Sequence, residues 1–271
     1  MSMIIDFHTH VFPDKIAQKT IELLSQKGSI PPFSNGSVVG LLDKMEEAGV
    51  DLAVNLPVLT SPAQFDSVNR FAAELNRSMV GQGRRVLSFA GIHPKCEQIE
   101  EKMAWISENG FLGVKVHPDY QETFIDDEGY CRILAAAKQH GLVVVSHAGA
   151  DGAYRGMPMR CPPSRAQKLI EAVPNGRLVL AHLGANEMIE EAIEILGGLD
   201  VYLDTAYVLR DTTAEQFRRI LEKHGEDRIL FGSDSPWSDI QNDVNILKSF
   251  SLNKQTEQKI LCENAKKLLG I

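Results

Sequence analysis

Eight times along the chain, a short apolar run of strand length gives way to an amphipathic helical stretch. The strand-like runs occupy residues 4–7, 52–55, 86–90, 114–116, 142–146, 178–181, 201–204 and 229–232. Helical periodicity follows at 38–48, 65–79, 98–108, 128–140, 165–172, 187–196, 214–223 and 244–250. Such alternation calls for parallel strands, because each crossover helix returns the chain to the same end of the sheet. Eight units in 271 residues fit an α/β fold of the (β/α)8 TIM-barrel type. An open doubly wound sheet would use fewer strands and often a glycine-rich phosphate turn, whereas the GQG at 81–83 precedes its strand and reads as a turn. One barrel domain spanning 1–271 is expected, with a final helix at 255–269 packing on its outside. The long insertions, at 13–37, 56–64 and 149–164, all follow strands and so fall on the face where barrels keep their sites.

Metal-type ligands recur at the carboxyl ends of these runs. His8 and His10 end the first (IIDFHTH), His147 the fifth (LVVVSH), His182 the sixth (RLVLAH) and Asp234 the eighth (FGSDSPW). In an extended segment, residues two apart share a face, so both imidazoles of the HTH can meet one ion while Phe7 and Thr9 face away. A histidine buried at a strand end must satisfy two ring nitrogens, which an isolated core position rarely allows. A carboxylate beside a metal-bound water can ligate the ion and accept the water's proton, which gives Asp234 a role beyond that of a turn former.

Composition narrows the partners. With 44% hydrophobic residues, the chain can fill a large core. The net charge of -8, with no basic stripe, makes nucleic acid an unsuitable partner, and no apolar run approaches membrane-spanning length. Cys96, Cys131, Cys161 and Cys262 are widely spaced with no CxxC, and the N-terminus runs straight into the first strand without a leader pattern. Free thiols and a cytoplasmic location are expected. The helical outer surface makes a symmetric homodimer the default assembly.

Taken in order, FHTHVFP, GVKVHP, SHAG, AHLG, FGSDSPW and ENAKKLLG resemble the amidohydrolase superfamily over nearly the whole chain, most closely its amidohydrolase-related branch of hydrolases and non-oxidative decarboxylases. The resemblance implies one divalent ion, with zinc expected first and manganese, iron or cobalt as alternatives. It implies His8, His10, His147 and Asp234 as ligands, with Asp234, His182 and His117 as catalytic groups. Binuclear members of the superfamily often carry a carboxylated lysine where this chain has Lys115. The mononuclear branch uses the later histidine of that segment, here His117, and this reading leaves Lys115 an ammonium able to hold a substrate anion. GIHP around His93 is similar to a segment of the deoxyribonuclease-like branch, and His93 reads equally well as a loop histidine.

The 149–164 insertion is the expected specificity loop. Arg155 and Arg160 could hold a carboxylate, Tyr154 lies between them and His147, and Trp237, Phe12 and Tyr207 could supply an apolar wall. Hydrolysis of a small ester, lactone or amide by a metal-activated water leads among the activities. The alternatives are metal-dependent decarboxylation of an aromatic or unsaturated carboxylic acid, and a barrel that binds a metal or metabolite without turnover.

Overall fold

The computed structural model describes residues 3–83 and 85–271. Its strands are β1 (Ile5–Thr9), β2 (Leu52–Asn55), β3 (Arg85–Ser88), β4 (Ala90–Gly91), β5 (Gly113–Val116), β6 (Val143–Ser146), β7 (Leu178–Leu180), β8 (Tyr202–Asp204) and β9 (Ile229–Leu230). All ladders between neighbours are parallel. β3 and β4 are halves of one barrel strand: between them the Phe89 N–H donates to the Asn55 carbonyl of β2 at 2.9 Å. The ring closes where Phe7 N–H donates to Phe231 O (2.8 Å), Asp234 N–H to His8 O (2.8 Å) and His10 N–H to Ser235 O (2.7 Å). Eight strands thus form a (β/α)8 barrel, as the alternation requires.

Crossover helices α2 (Val38–Ala48), α3 (Phe65–Ser78), α4 (Ile99–Glu108), α5 (Glu128–His140), α6 (Pro163–Ala172), α7 (Ile189–Leu196), α8 (Ala214–His224) and α9 (Ile240–Ser249) cover the outside. Their ends are chemically marked. Ser37 caps α2 by accepting from Gly40 N–H, Gly49 stops it at φ 71°, and Thr213 with Gln216 forms a capping box on α8.

The chain also forms a helix where a loop is expected, α1 (Asp14–Gly28), inside the first insertion. Only Ala17 and Ile21 are buried on it, while Ile16 and Leu23 are exposed, so no apolar stripe advertises it.

Two apolar layers result. Residues such as Val114, Val144 and Leu178 pack outward against the helices, whereas Ile5, Phe7, Phe89, Val143, Val145 and Val179 fill the barrel interior. Cys262, Ala265, Leu268 and Leu269 of the final helical stretch, Lys254–Gln258 (α10), Lys259–Glu263 and Asn264–Leu269 (α11), belong to that interior cluster. The Arg177 guanidinium, just ahead of β7, donates to Leu268 O, which sets this stretch against the amino ends of the strands. The site therefore opens at the other end. Among the described residues, no helix is long and apolar enough to cross a membrane.

Candidate metal and active site

Strand parity delivers most of the side chains. Lys115 and His117 continue the inward positions of β5, and His147 continues Val143 and Val145 of β6. β1 departs from simple alternation: its register against β2 shifts between Asp6 and Thr9. Phe7 thus shares the interior with His8, correcting the expectation that Phe7 faces away from the histidine pair. The neighbouring strand makes room, since a Cβ on Gly232 would lie 2.8 Å from the His8 Cβ. Backbone conformation is unusual here as well. His182, Leu183, Tyr207 and Asp234 are four of the nine non-glycine residues with positive φ among those described, a concentration typical of working sites.

Hydrogen bonds fix the tautomers. The Asp204 Oδ1 accepts from the backbone N–H groups of His182 (2.9 Å) and Ala206 (3.1 Å), so its Oδ2 must accept from His8 Nδ1–H at 2.8 Å. His10 Nδ1–H donates to Leu56 O at 2.9 Å. The two Nε2 atoms face the same oxygen, Asp234 Oδ1, at 3.5 Å from His8 and 3.0 Å from His10, and that of His8 also meets the Lys115 ammonium at 2.9 Å. Two imidazole nitrogens and a carboxylate oxygen gathered in a buried space are stabilised by a positive charge among them. Burial and the adjacent Lys115 charge hold the His8 ring well below the imidazole range, so a proton on His8 is a poor source of it. The donor set fits a divalent cation.

Lys115 supplies part of that charge. Its ammonium, 1% exposed, lies 2.9 Å from His8 Nε2. Burial pulls its pKa down to about 8, with Asp204 and Asp234 opposing the fall. Burial alone would raise the Asp234 carboxyl, but the His10 hydrogen bond and the nearby His8 and His182 rings hold it below its usual value and ionised.

His147 and His182 extend the cluster. His182 Nδ1–H donates to Ala206 O (2.8 Å), and its Nε2 faces His147 Nδ1 at 3.0 Å. The other His147 nitrogen, Nε2, lies 4.0 Å from Asp119 Oδ2, and both atoms are buried without a hydrogen-bond partner. A proton on His147 Nε2 would suit that carboxylate and leave Nδ1 free toward the cluster. His147 also groups with His117 and Asp151 as a second possible ion site. His117, however, is committed at both nitrogens: Nδ1 accepts from Tyr120 N–H (3.3 Å), and Nε2 lies 3.3 Å from Asp151. Its ring stacks on His147 at 4.1 Å, making it a wall of the site.

The expected substrate groups are scattered. Arg160 turns inward onto Asp119 at 3.4 Å, and Arg155, 78% exposed, pairs with Glu187 at 3.3 Å. Both forks are engaged by carboxylates of the chain itself. Tyr154 packs against Tyr120 at 5.2 Å. Trp237 is half-buried, its backbone N–H closing the turn onto Asp234 O. Tyr207 stands 6.5 Å from the His182 ring under the Arg210 guanidinium, and Phe12 borders the turn at Gly36. His93 is buried with Nδ1 accepting from Lys95 N–H.

Sequence reasoning missed Asp204, Asp119 and Asp151. Asp204 had a signal, since it ends its strand-like run as the ligands end theirs; the other two lie in loops with no periodic neighbour.

Several solved structures share this architecture. A 2,6-dihydroxybenzoate decarboxylase from Rhizobium is 16% identical, with a TM-score of 0.74 over 100% of this chain and 99% of that one. The 5-carboxyvanillate decarboxylase LigW of Sphingomonas paucimobilis is 15% identical, with a TM-score of 0.69 over 100% of both chains. A dihydroxybenzoic acid decarboxylase from Polaromonas, with bound manganese and the inhibitor 2-nitroresorcinol, is 15% identical, with a TM-score of 0.71 over 100% and 97%. A sequence search of curated proteins returns no match. The expectation that hydrolysis leads is corrected by these neighbours, which are named as decarboxylases. The amidohydrolase family model matches residues 5–271, and the chain belongs to that family.

Proposed function

We propose that the protein is a metal-dependent, non-oxidative decarboxylase of an aromatic or unsaturated carboxylic acid. The observation that carries the site is the convergence of His8 Nε2, His10 Nε2 and Asp234 Oδ1 beside the Lys115 ammonium. The activity is favoured by the decarboxylases that share the fold, at least one of them manganese-loaded. His8, His10, Asp234 and, through Nδ1, His147 would hold one divalent ion, with manganese ahead of the zinc expected first. Bound there, the ion would supply Lewis-acid polarisation of the substrate's carboxylate and an adjacent oxygen.

The chain's own groups then divide the work. Lys115 offers a buried ammonium to the substrate anion. As the bond from carbon to carboxylate breaks, its electron pair stays on carbon and a proton must arrive there. Asp234, ionised in the resting site, can take the proton of a substrate hydroxyl and deliver it to that carbon, which balances the reaction. His182, anchored at Nδ1 by Ala206 O, orients the substrate, and the stacked His117 and His147 rings wall it from water. Four free thiols suit a reducing compartment, and we place the enzyme in the cytoplasm as one barrel unit, with a homodimer as its assembly.

The decisive experiment treats chelator-stripped protein with manganese or zinc and a panel of hydroxybenzoates, following carbon dioxide release. Metal-dependent release supports the reading. Cleavage of esters or lactones with no release from any acid overturns it.

A further inference from the structure

The same barrel mouth holds a cavity of about 890 Å³ beside the histidine cluster. Its walls come from α1, which carries Lys27, and from the loops after β2 (Thr60, Ser61), β4 (His93, Lys95), β5 (Tyr120, Glu122) and β6 (Tyr154). Donors dominate. Lys27 Nζ sits 4.8 Å from the centre of the Tyr120 ring and 4.2 Å from that of Tyr154. Lys95 Nζ reaches the Glu122 carbonyl at 3.5 Å, and among the described residues neither lysine has a carboxylate partner. His93 accepts at Nδ1, so its proton lies on Nε2 and the neutral ring is a further donor. Glu122 is the one acidic residue on the lining among those described.

The cavity and the catalytic cluster share a wall. The Tyr120 ring stands edge-on to His117 at 4.5 Å, and His117 stacks on His147. An elongated acid running from the histidines past Tyr120 would bring its far end to Lys27, which sits over both tyrosine rings, with Lys95 on the same lining. With Arg155 and Arg160 engaged by Glu187 and Asp119, the lysines are the cations left for that far end. The volume matches pockets of about 300–1,000 Å³ that take ligands well beyond a single small ring.

We propose that this cavity is a subsite for a second carboxylate, carried on the distal part of the substrate and held by Lys27 and Lys95, so that the substrate is an aromatic or unsaturated dicarboxylate. The proposal rests on the decarboxylase reading for the placement of the reacting carboxylate.

Calorimetric titration of manganese-loaded protein tests it with two matched pairs: benzoate against terephthalate, and biphenyl monocarboxylate against biphenyl dicarboxylate. In at least one pair the dicarboxylate should bind roughly tenfold more tightly, a difference of about 1.4 kcal/mol. The Lys27→Met/Lys95→Met double variant should bring the two affinities within about twofold. Equal affinities in the wild type, or a preference that survives the double substitution, overturn the subsite. Because the readout is binding, a lysine-dependent preference without carbon dioxide release from any acid leaves the subsite standing and removes the decarboxylase; release without preference does the reverse.

Discussion

The histidine cluster and the neighbouring cavity share one barrel mouth but are built by different means. The histidines of the cluster are buried or nearly so, and in three of them a carboxylate or carbonyl commits one ring nitrogen: Asp204 for His8, Leu56 O for His10, Ala206 O for His182. The cavity is walled by a mostly exposed helix and four loops, and its lysines are exposed. Strand ends tolerate little displacement because every neighbour is packed, whereas loops vary without disturbing the barrel. Reaction type therefore belongs to the strands and substrate choice to the loops.

The sharpest way to break this division is Asp234→Asn. The substitution keeps the shape but removes the shared anion that faces His8 and His10 at 3.5 and 3.0 Å. Carbon dioxide release should fall by about 10³-fold or more, the upper range for loss of an acid/base group, and bound metal should fall with it. A variant that keeps a tenth of its activity would show that the cluster is not where the chemistry happens.

Asp119→Asn probes the border between the two regions. Asp119 faces His147 on one side and, at 3.3 Å, accepts from the Arg160 backbone N–H in the loop after β6. If it orients His147, metal affinity measured by chelator competition should drop about 10–100-fold, as for other partners of metal-bound histidines. Turnover at saturating metal should largely return. Unchanged affinity would remove His147 from the ligand set.

The same division explains what could be read from the sequence. Helices Val38–Ala48 and Glu128–His140 and strand Leu52–Asn55 have the bounds their periodicity implies, because apolar burial on one face writes itself into local spacing. Candidate ligands were visible because several strands present them at the same place. Phe7 was misplaced because a register shift in β1 has no signature in residue type. α1 was hidden by its small buried face, and with it the cavity, whose lining comes from segments far apart in the chain. Arg155 and Arg160 looked like clamps because their carboxylate partners, Glu187 and Asp119, meet them only in the folded chain.

Asp243 separates burial from function. It is buried on α9, and burial lifts its pKa to about 7, with the Asp239 and Asp234 charges adding to the rise and Ser238 and Arg210 offsetting it only partly. Between the ordinary carboxyl value and about 7, the folded chain binds a proton that the unfolded chain does not. Stability from this group therefore falls as pH rises through that window and levels off above it. Asp243→Asn should raise the Tm by about 2–4 °C at pH 8, where the wild-type carboxylate is charged, and far less at pH 5. An equal gain at both pH values would mean that packing, not ionisation, is responsible.

The smallest effect is expected at Arg155. Its pairing with Glu187 at 3.3 Å joins two exposed side chains, and such pairs contribute little because water and salt screen them and both chains lose rotamer freedom. Arg155→Ala should change stability by less than about 0.5 kcal/mol and leave both kcat and KM where they were. Lys27 and Lys95 are exposed too, but they line a concave wall with tyrosine rings, where a bound carboxylate would be partly desolvated and its charge less screened. A rise in KM on removing Arg155, with kcat intact, would show that its loop folds over the cavity during binding, and loop closure would then join the cavity walls as a source of selectivity.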